Sequence, residues 1–208
     1  TASSNVAVGN DALKNNTTGA SNTAIGDEAM EFNTTGSSNV AVGNDALYSN
    51  TTANNNTALG ASALNQNQTG TDNVAVGTAA LQDNVASSNV AVGSAALEEN
   101  TTGTRNVAVG RAALENNTTG NYNVAVGYVV LNNNNGSYNV GVGYEALKQC
   151  TGGQQNIGMG VNAGTAITTG DYNVAIGPNA LMAATTGDNT VSVGRNSLIN
   201  CTTGNHNT

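Results

Sequence analysis

A five-residue unit, Asn39-Val-Ala-Val-Gly43, returns twelve times along the chain with small changes. Its closing glycines are Gly9, Gly26, Gly43, Gly60, Gly77, Gly93, Gly110, Gly127, Gly143, Gly160, Gly177 and Gly194. Nine of the eleven steps between them are 17 residues and two are 16. A fixed period of this length belongs to stacked repeats, in which each coil contacts only its neighbours. The chain is therefore expected to be all-β: a parallel β-solenoid of about twelve 17-residue coils. It reads as a single continuous repeat array over 1-208, without a linker. Asn207-Thr208 matches the opening of a thirteenth copy, so the array reads as a fragment of a longer chain.

Composition agrees with a thin core. Only 9% of residues are charged and 3% aromatic, and there is no tryptophan. A solenoid needs few large apolar residues because its interior is a narrow column. The net charge is −8 with five basic residues, so there is no basic stripe for nucleic acid. Apolar runs such as Val6–Val8 are far too short to enter a membrane. Cys150 and Cys201 fill the same slot three coils apart, roughly 14 Å at about 4.8 Å per coil. A disulfide reaches roughly 7 Å between Cα atoms, so two small buried residues are expected rather than a bridge.

We number each coil from its closing glycine as position zero. Positions −3 and −1 are nearly always β-branched, a strand signal, and are expected to face the coil interior. Position −2 lies between them and is alanine in nine copies, glycine at Gly141 and Gly158, and serine at Ser192. A solvent-facing strand position normally varies. The uniformly small column therefore predicts a close neighbour. It makes Ala7, Ala24, Ala41, Ala58, Ala75, Ala91, Ala108 and Ala125 candidate subunit contacts. Position −4 is asparagine in eleven copies, from Asn5 to Asn173, and predicts an amide ladder that fixes register. The zero glycine marks a corner with positive φ or close backbone approach. Pro178 follows Gly177, placing position +1 outside a hydrogen-bonded ladder. Ala-Leu at +3 and +4 puts a leucine in the core.

The turn Asn-Thr-Thr-Gly comes next, at Asn16–Gly19 for example, with its glycine expected at positive φ. Both 16-residue steps lose a residue here, at Asn84–Ser88 and Asn134–Tyr138. Asn16, Asn33, Asn50, Asn67, Asn100 and Asn117 match the N-glycosylation acceptor pattern. The same slot later holds Cys150, Ile167, Ala184 and Cys201, which favours a second, buried asparagine ladder.

Charges gather in the variable slots and read as solvated outer faces. Tyr122, Tyr138 and Tyr172 share position −5, while Tyr128 and Tyr144 share position +1. Stacked rings suit either cross-coil packing or contact with a glycan. The chemistry of catalysis finds no foothold. His206 is the only histidine, acidic pairs such as Glu98-Glu99 are adjacent in sequence, and no phosphate-binding glycine loop occurs. No enzyme activity, metal or cofactor is expected.

The repeated Asn-Val-Ala-Val-Gly unit, with its Ala-Leu and Thr-Gly turn, resembles the YadA-type head repeats of trimeric autotransporter adhesins. It is also similar to repeats of some phage tail fibres. The resemblance implies a left-handed β-roll, three chains around one axis, and attachment to host surface proteins or glycans. It implies an extracellular place on a cell or virion surface, and it transfers no site residue. The expected function is a structural and adhesive shaft or head of a surface fibre, assembled as a homotrimer and roughly 58 Å long. The alternatives are an ice-binding solenoid and a glycan-processing, tailspike-like protein.

Overall fold

The computed structural model describes residues 2–207; the expected thirteenth opening at Asn207-Thr208 falls partly outside them. Twelve short strands carry the repeat: β1 (Val6–Val8), β2 (Thr23–Ile25), β3 (Val40–Val42), β4 (Thr57–Leu59), β5 (Val74–Val76) and β6 (Val90–Val92). They continue as β7 (Val107–Val109), β8 (Val124–Tyr128), β9 (Val140–Tyr144), β10 (Ile157–Met159), β11 (Val174–Ile176) and β12 (Val191–Val193). All twelve form one parallel sheet in chain order, and no helix occurs among the described residues. The fold is a β-solenoid. Every motif lies directly over the next, with Val6 paired to Thr23, Ala7 to Ala24 and Val8 to Ile25.

The register survives both short steps, where Val74 pairs with Val90 and Val124 with Val140. The missing residue comes out of the turn. The Nδ2 of Asn84 donates to the Ala86 carbonyl and that of Asn134 to Gly136, two residues on. In a full coil the same bond spans three residues, from Asn100 to Gly103.

Beyond the strands, the irregular side of the coil is also bonded along the axis. Leu13 N–H donates to the Ala29 carbonyl, Glu28 N–H to Asn10, and Ser21 N–H to Ser3. The donors sit at positions +4, +2 and −5, and in most coils these three residues adopt φ near +55°, as at Leu13, Glu28 and Ser21. Left-handed non-glycine residues cost on the order of 1 kcal/mol each and persist only where surroundings over-determine them. Here the axial hydrogen bonds supply that constraint, coil after coil.

The strand faces are the reverse of the sequence expectation. The −2 column points inward: Ala24, Ala41, Ala58, Ala75, Ala91, Ala108 and Ala125 are fully buried. Only Ala7, in the terminal coil, is exposed. The β-branched residues at −3 and −1 point outward and stay half-exposed. The reason is the thinness of the coil. The inner strand position meets the +3 and +4 side chains of the preceding coil at once. A Cβ added to Gly158 would lie 2.7 Å from Leu147 Cγ. An interior one leucine deep holds a methyl group opposite, not a valine. The leucines behave as expected, with Leu47, Leu64, Leu81, Leu97 and Leu114 fully buried.

Both glycine columns are favoured, for different reasons. Gly9 has φ of +136°, and a Cβ there would lie 2.1 Å from the carbonyl oxygen of Gly26. The turn glycine does not adopt the expected positive φ. At Gly36 the constraint is space: a Cβ would lie 2.4 Å from both the Ala53 carbonyl oxygen and Asn33 Oδ1.

Candidate interaction surface

Two asparagine columns hold the corner beside the strand. In the first, the Oδ1 of Asn22 accepts the Asn39 backbone N–H at 3.0 Å. The Nδ2 of Asn39 donates to the Ala53 carbonyl at 2.8 Å, closing its own coil. In the second, Asn33 Nδ2 donates to Asn16 Oδ1 at 2.8 Å, and Asn117 Nδ2 to Asn100 Oδ1 at 2.9 Å. Asn33, Asn50, Asn67, Asn100 and Asn117 are fully buried. Their amides donate inside the coil, which agrees with the favoured buried column and leaves these five positions without the exposure a glycan acceptor needs. Asn16, in the first coil, is partly exposed, and its Nδ2 donates to the Gly19 carbonyl.

The outward face of the sheet is therefore the surface available to a partner, and the alanines expected there are corrected to core residues. Its floor is two parallel columns of Val, Ile, Leu, Met and Thr. Its exposed members in the body of the array lie mostly in the −1 column, from 37% at Val109 to 47% at Leu59, while most of the −3 column is half-buried. No charged residue occupies the floor. A continuous apolar column of this kind is a candidate interaction surface.

Two border columns flank the floor, at −5 and +1. Tyr138 of one border lines a recess of about 380 Å³ together with Val140, Gln155 and Ile157, so border and floor share one face. On the other side, β8 and β9 run on to Tyr128 and Tyr144, which alternate onto the outward face. Tyr122 and Tyr138 stack with centroids 5.0 Å apart, and Tyr128 and Tyr144 at 5.4 Å. Arg105 lies over the Tyr122 ring and also donates to its hydroxyl. Arg111 lies over Tyr128 in the same way, donating to its hydroxyl at 3.0 Å. Tyr172 stands apart, with its hydroxyl accepting from Gln155 Nε2 at 3.3 Å. The rings thus pack on one another along the axis and present edges and hydroxyls outward.

The borders differ between the two halves of the array. In coils one to six they hold Ser, Asn, Asp, Ala and Thr, as at Ser38 and Ala61. From coil seven onward they hold Arg, Tyr, Gln, Val and Pro, with Asn189 the small exception. The groove is shallow in the first half and walled in the second. This size step was readable in the sequence, as was the pairing of Arg105 and Arg111 on the two flanks of β7. The face to which both belong was not.

Elsewhere the chemistry is quiet. Lys14 pairs with Asp11 at 3.0 Å and Lys148 with Glu145 at 3.0 Å on outer turns. The Glu98 carboxyl is pushed above its ordinary value by desolvation, then by Glu115, Asp83 and Glu99. Burial pushes the Cys150 thiol up to about 12, and both cysteines are free. Among the described residues no group of His, Cys, Asp or Glu could hold a metal ion, and no helix is long and apolar enough to cross a membrane. The chain matches no protein-family model, no curated protein and no solved structure.

Proposed function

We propose that the array is a stiff shaft or head segment of an extracellular fibre, on a cell or virion surface, that attaches through its outward face and turns. The observation that carries this reading is the continuity of bonding. Sheet, backbone bonds of the irregular side and asparagine columns all run from coil to coil, so a load along the axis is shared by the whole cross-section. Lateral assembly belongs to the valine columns, which replace the buried alanines as the surface for further copies.

Single-molecule stretching of the array between its ends tests the shaft. Coil-by-coil unravelling in increments near 17 residues is expected; collapse in one low-force event would refute it. Retention of the labelled array on host cells or glycan-coated beads tests attachment, and washing off both surfaces at micromolar concentration removes the glycan and host-protein arm. Ice binding is a second reading, favoured by the regularly spaced, two-column outward array that includes Thr23 and Thr57. It requires thermal hysteresis. The glycan-processing alternative gains no such support, since the recess beside Tyr138 is lined without a carboxylate.

A further inference from the structure

We propose that the outward face is a homophilic docking surface on which a second copy of this chain lies antiparallel. Its two-fold axis would run along the strand direction of β6. This rests on the adhesive reading above only for its setting; the pairing itself rests on the shape and charge of the face.

The size step in the borders selects the orientation. An isologous contact places each residue against its symmetry-related counterpart. With the axis on coil six, coil seven of one copy meets coil five of the other, coil eight meets coil four, and coil nine meets coil three. Each border then meets the same border. Arg105 lies opposite Asp72 of the second copy, an opposite-charge pair. Tyr122 meets Asn55, and Tyr138 meets Ser38. On the other border Tyr128 meets Ala61. The walled half of each copy receives the shallow half of the other, and the recess between Tyr138 and Gln155 faces the second copy's Ser38 and Val40.

Parallel arrangements fail this match. With the axis along the solenoid, each coil meets its own number and the borders exchange. Arg105 then faces Arg111, and Tyr122 faces Tyr128. Like charges and large residues coincide in one half, while small residues leave a gap in the other. A threefold parallel packing has the same fault, because it also brings equal coil numbers together.

The area is sufficient. Ten coil steps at about 4.8 Å, by six residues at about 3.3 Å, give a face of roughly 950 Å². Stable interfaces need about 800 Å² per partner. The floor repeats at the coil spacing, so a second copy matches it ridge for ridge along its length. Antiparallel is also the orientation in which fibres anchored on two facing surfaces meet. Self-recognition on this face would join one such surface to another.

The test uses the intact array in solution. Sedimentation analysis at micromolar concentration is expected to give twice the chain mass. Arg105→Asp and Asp72→Arg are each expected to weaken the dimer roughly tenfold or more, and the double swap to restore it. Circular dichroism checks that each variant keeps its strand signal. In a Cys201→Ser background, Val90→Cys lies on the proposed axis. A short bis-maleimide is then expected to link it to itself, because facing sheets lie about 10 Å apart. A monomer, a trimer, a charge swap without rescue, or Val90→Cys failing to link would overturn the proposal. None of these outcomes alters the stretching result, so failure of the pairing is distinguishable from failure of the shaft.

Discussion

The interior slot that opens the turn is filled in two ways along one solenoid. From Asn16 to Asn134 it holds asparagines; from Cys150 to Cys201 it holds Cys, Ile and Ala. In the first region the slot is a hydrogen-bonded column, and in the second it is packing volume. Cys150 keeps part of the asparagine's bonding, its thiol 3.4 Å from the Gly153 carbonyl. At the junction the last asparagine is not stranded: Asn139 Nδ2 donates to Asn134 Oδ1 at 3.0 Å. The sheet register is the same on both sides. The amide column is therefore one means of holding the coil together and not a condition for the fold.

The apolar region should be the more sensitive to truncation. Gly164 replaces the core leucine of its coil, and Ile167 fills the space left: a Cβ on Gly164 would lie 3.0 Å from Ile167 Cδ1. Ile167→Ala removes the only large side chain at that level and is expected to cost about 3 kcal/mol. Chemical denaturation reads it. The paired change Gly164→Leu with Ile167→Asn restores the common coil and should recover much of the loss. If the double variant is no better than Ile167→Ala, the volume argument is wrong.

In the amide region, Asn100→Ala removes a donor to Asn84 Oδ1 and Gly103, and an acceptor for Asn117. A loss of about 2 kcal/mol is expected, since buried partners are left unmatched. Cys150→Ala, in the same slot, should cost clearly less. Equal losses would erase the distinction between the two regions.

Gly141 tests the packing between strand and turn side. It sits where other coils have alanine, and its missing methyl makes room for Val130, which replaces an alanine in the coil before. A Cβ on Gly141 would lie 2.4 Å from Val130 Cγ1. Gly141→Ala is expected to destabilise by about 1–2 kcal/mol, and Val130→Ala added to it to restore stability. Thermal melts of the four variants form the cycle, and additivity would refute the contact.

Period, strand positions, leucine core, both asparagine columns and the site of the short steps were all legible from the chain. Each depends on local chemistry repeated many times. The facing of the strand was not, and the candidate surface went with it. A two-residue period places −3 and −1 on one face and −2 on the other, but says nothing about which face is inside. Bulk argued for valine inward. The interior is closed by Leu47 and its equivalents at one methyl's distance, so alanine goes in. That distance depends on how the turn folds back through left-handed residues such as Asp11 and Leu13, and those residue types give no sign of it.

A smaller effect concerns charge on the outer turns. Desolvation, with Glu115, Asp83 and Glu99 nearby, raises the Glu98 carboxyl above its ordinary 4.5. A carboxyl raised on folding is protonated first in the folded state. Stability therefore grows as pH falls through the raised value and is lower above it. Glu98→Gln is expected to melt slightly higher at neutral pH and to flatten the rise just above pH 4.5. An unchanged pH profile would show that the acidic column is fully screened.

The smallest expected effect lies within the amide column. Asn50 Oδ1 and Asn67 Oδ1 are buried without a partner. Asn50 sits beside Ala53, which occupies a slot that is glycine in ten of twelve coils. At the equivalent Gly36, a methyl would lie 2.4 Å from Asn33 Oδ1 and 2.7 Å from Asn50 Nδ2, between the two atoms of a ladder bond. By this equivalence the methyl of Ala53 is expected to stand between Asn50 and Asn67 and to hold their amides apart. Ala53→Gly should let Asn67 donate to Asn50. The recovered bond is worth about 1 kcal/mol, offset by about 0.4–1 kcal/mol from the freer unfolded chain. Net stability should change little, while protection of the Asn67 side-chain amide against hydrogen exchange should rise. Exchange as fast as in the parent chain would show that the methyl is not what interrupts the ladder.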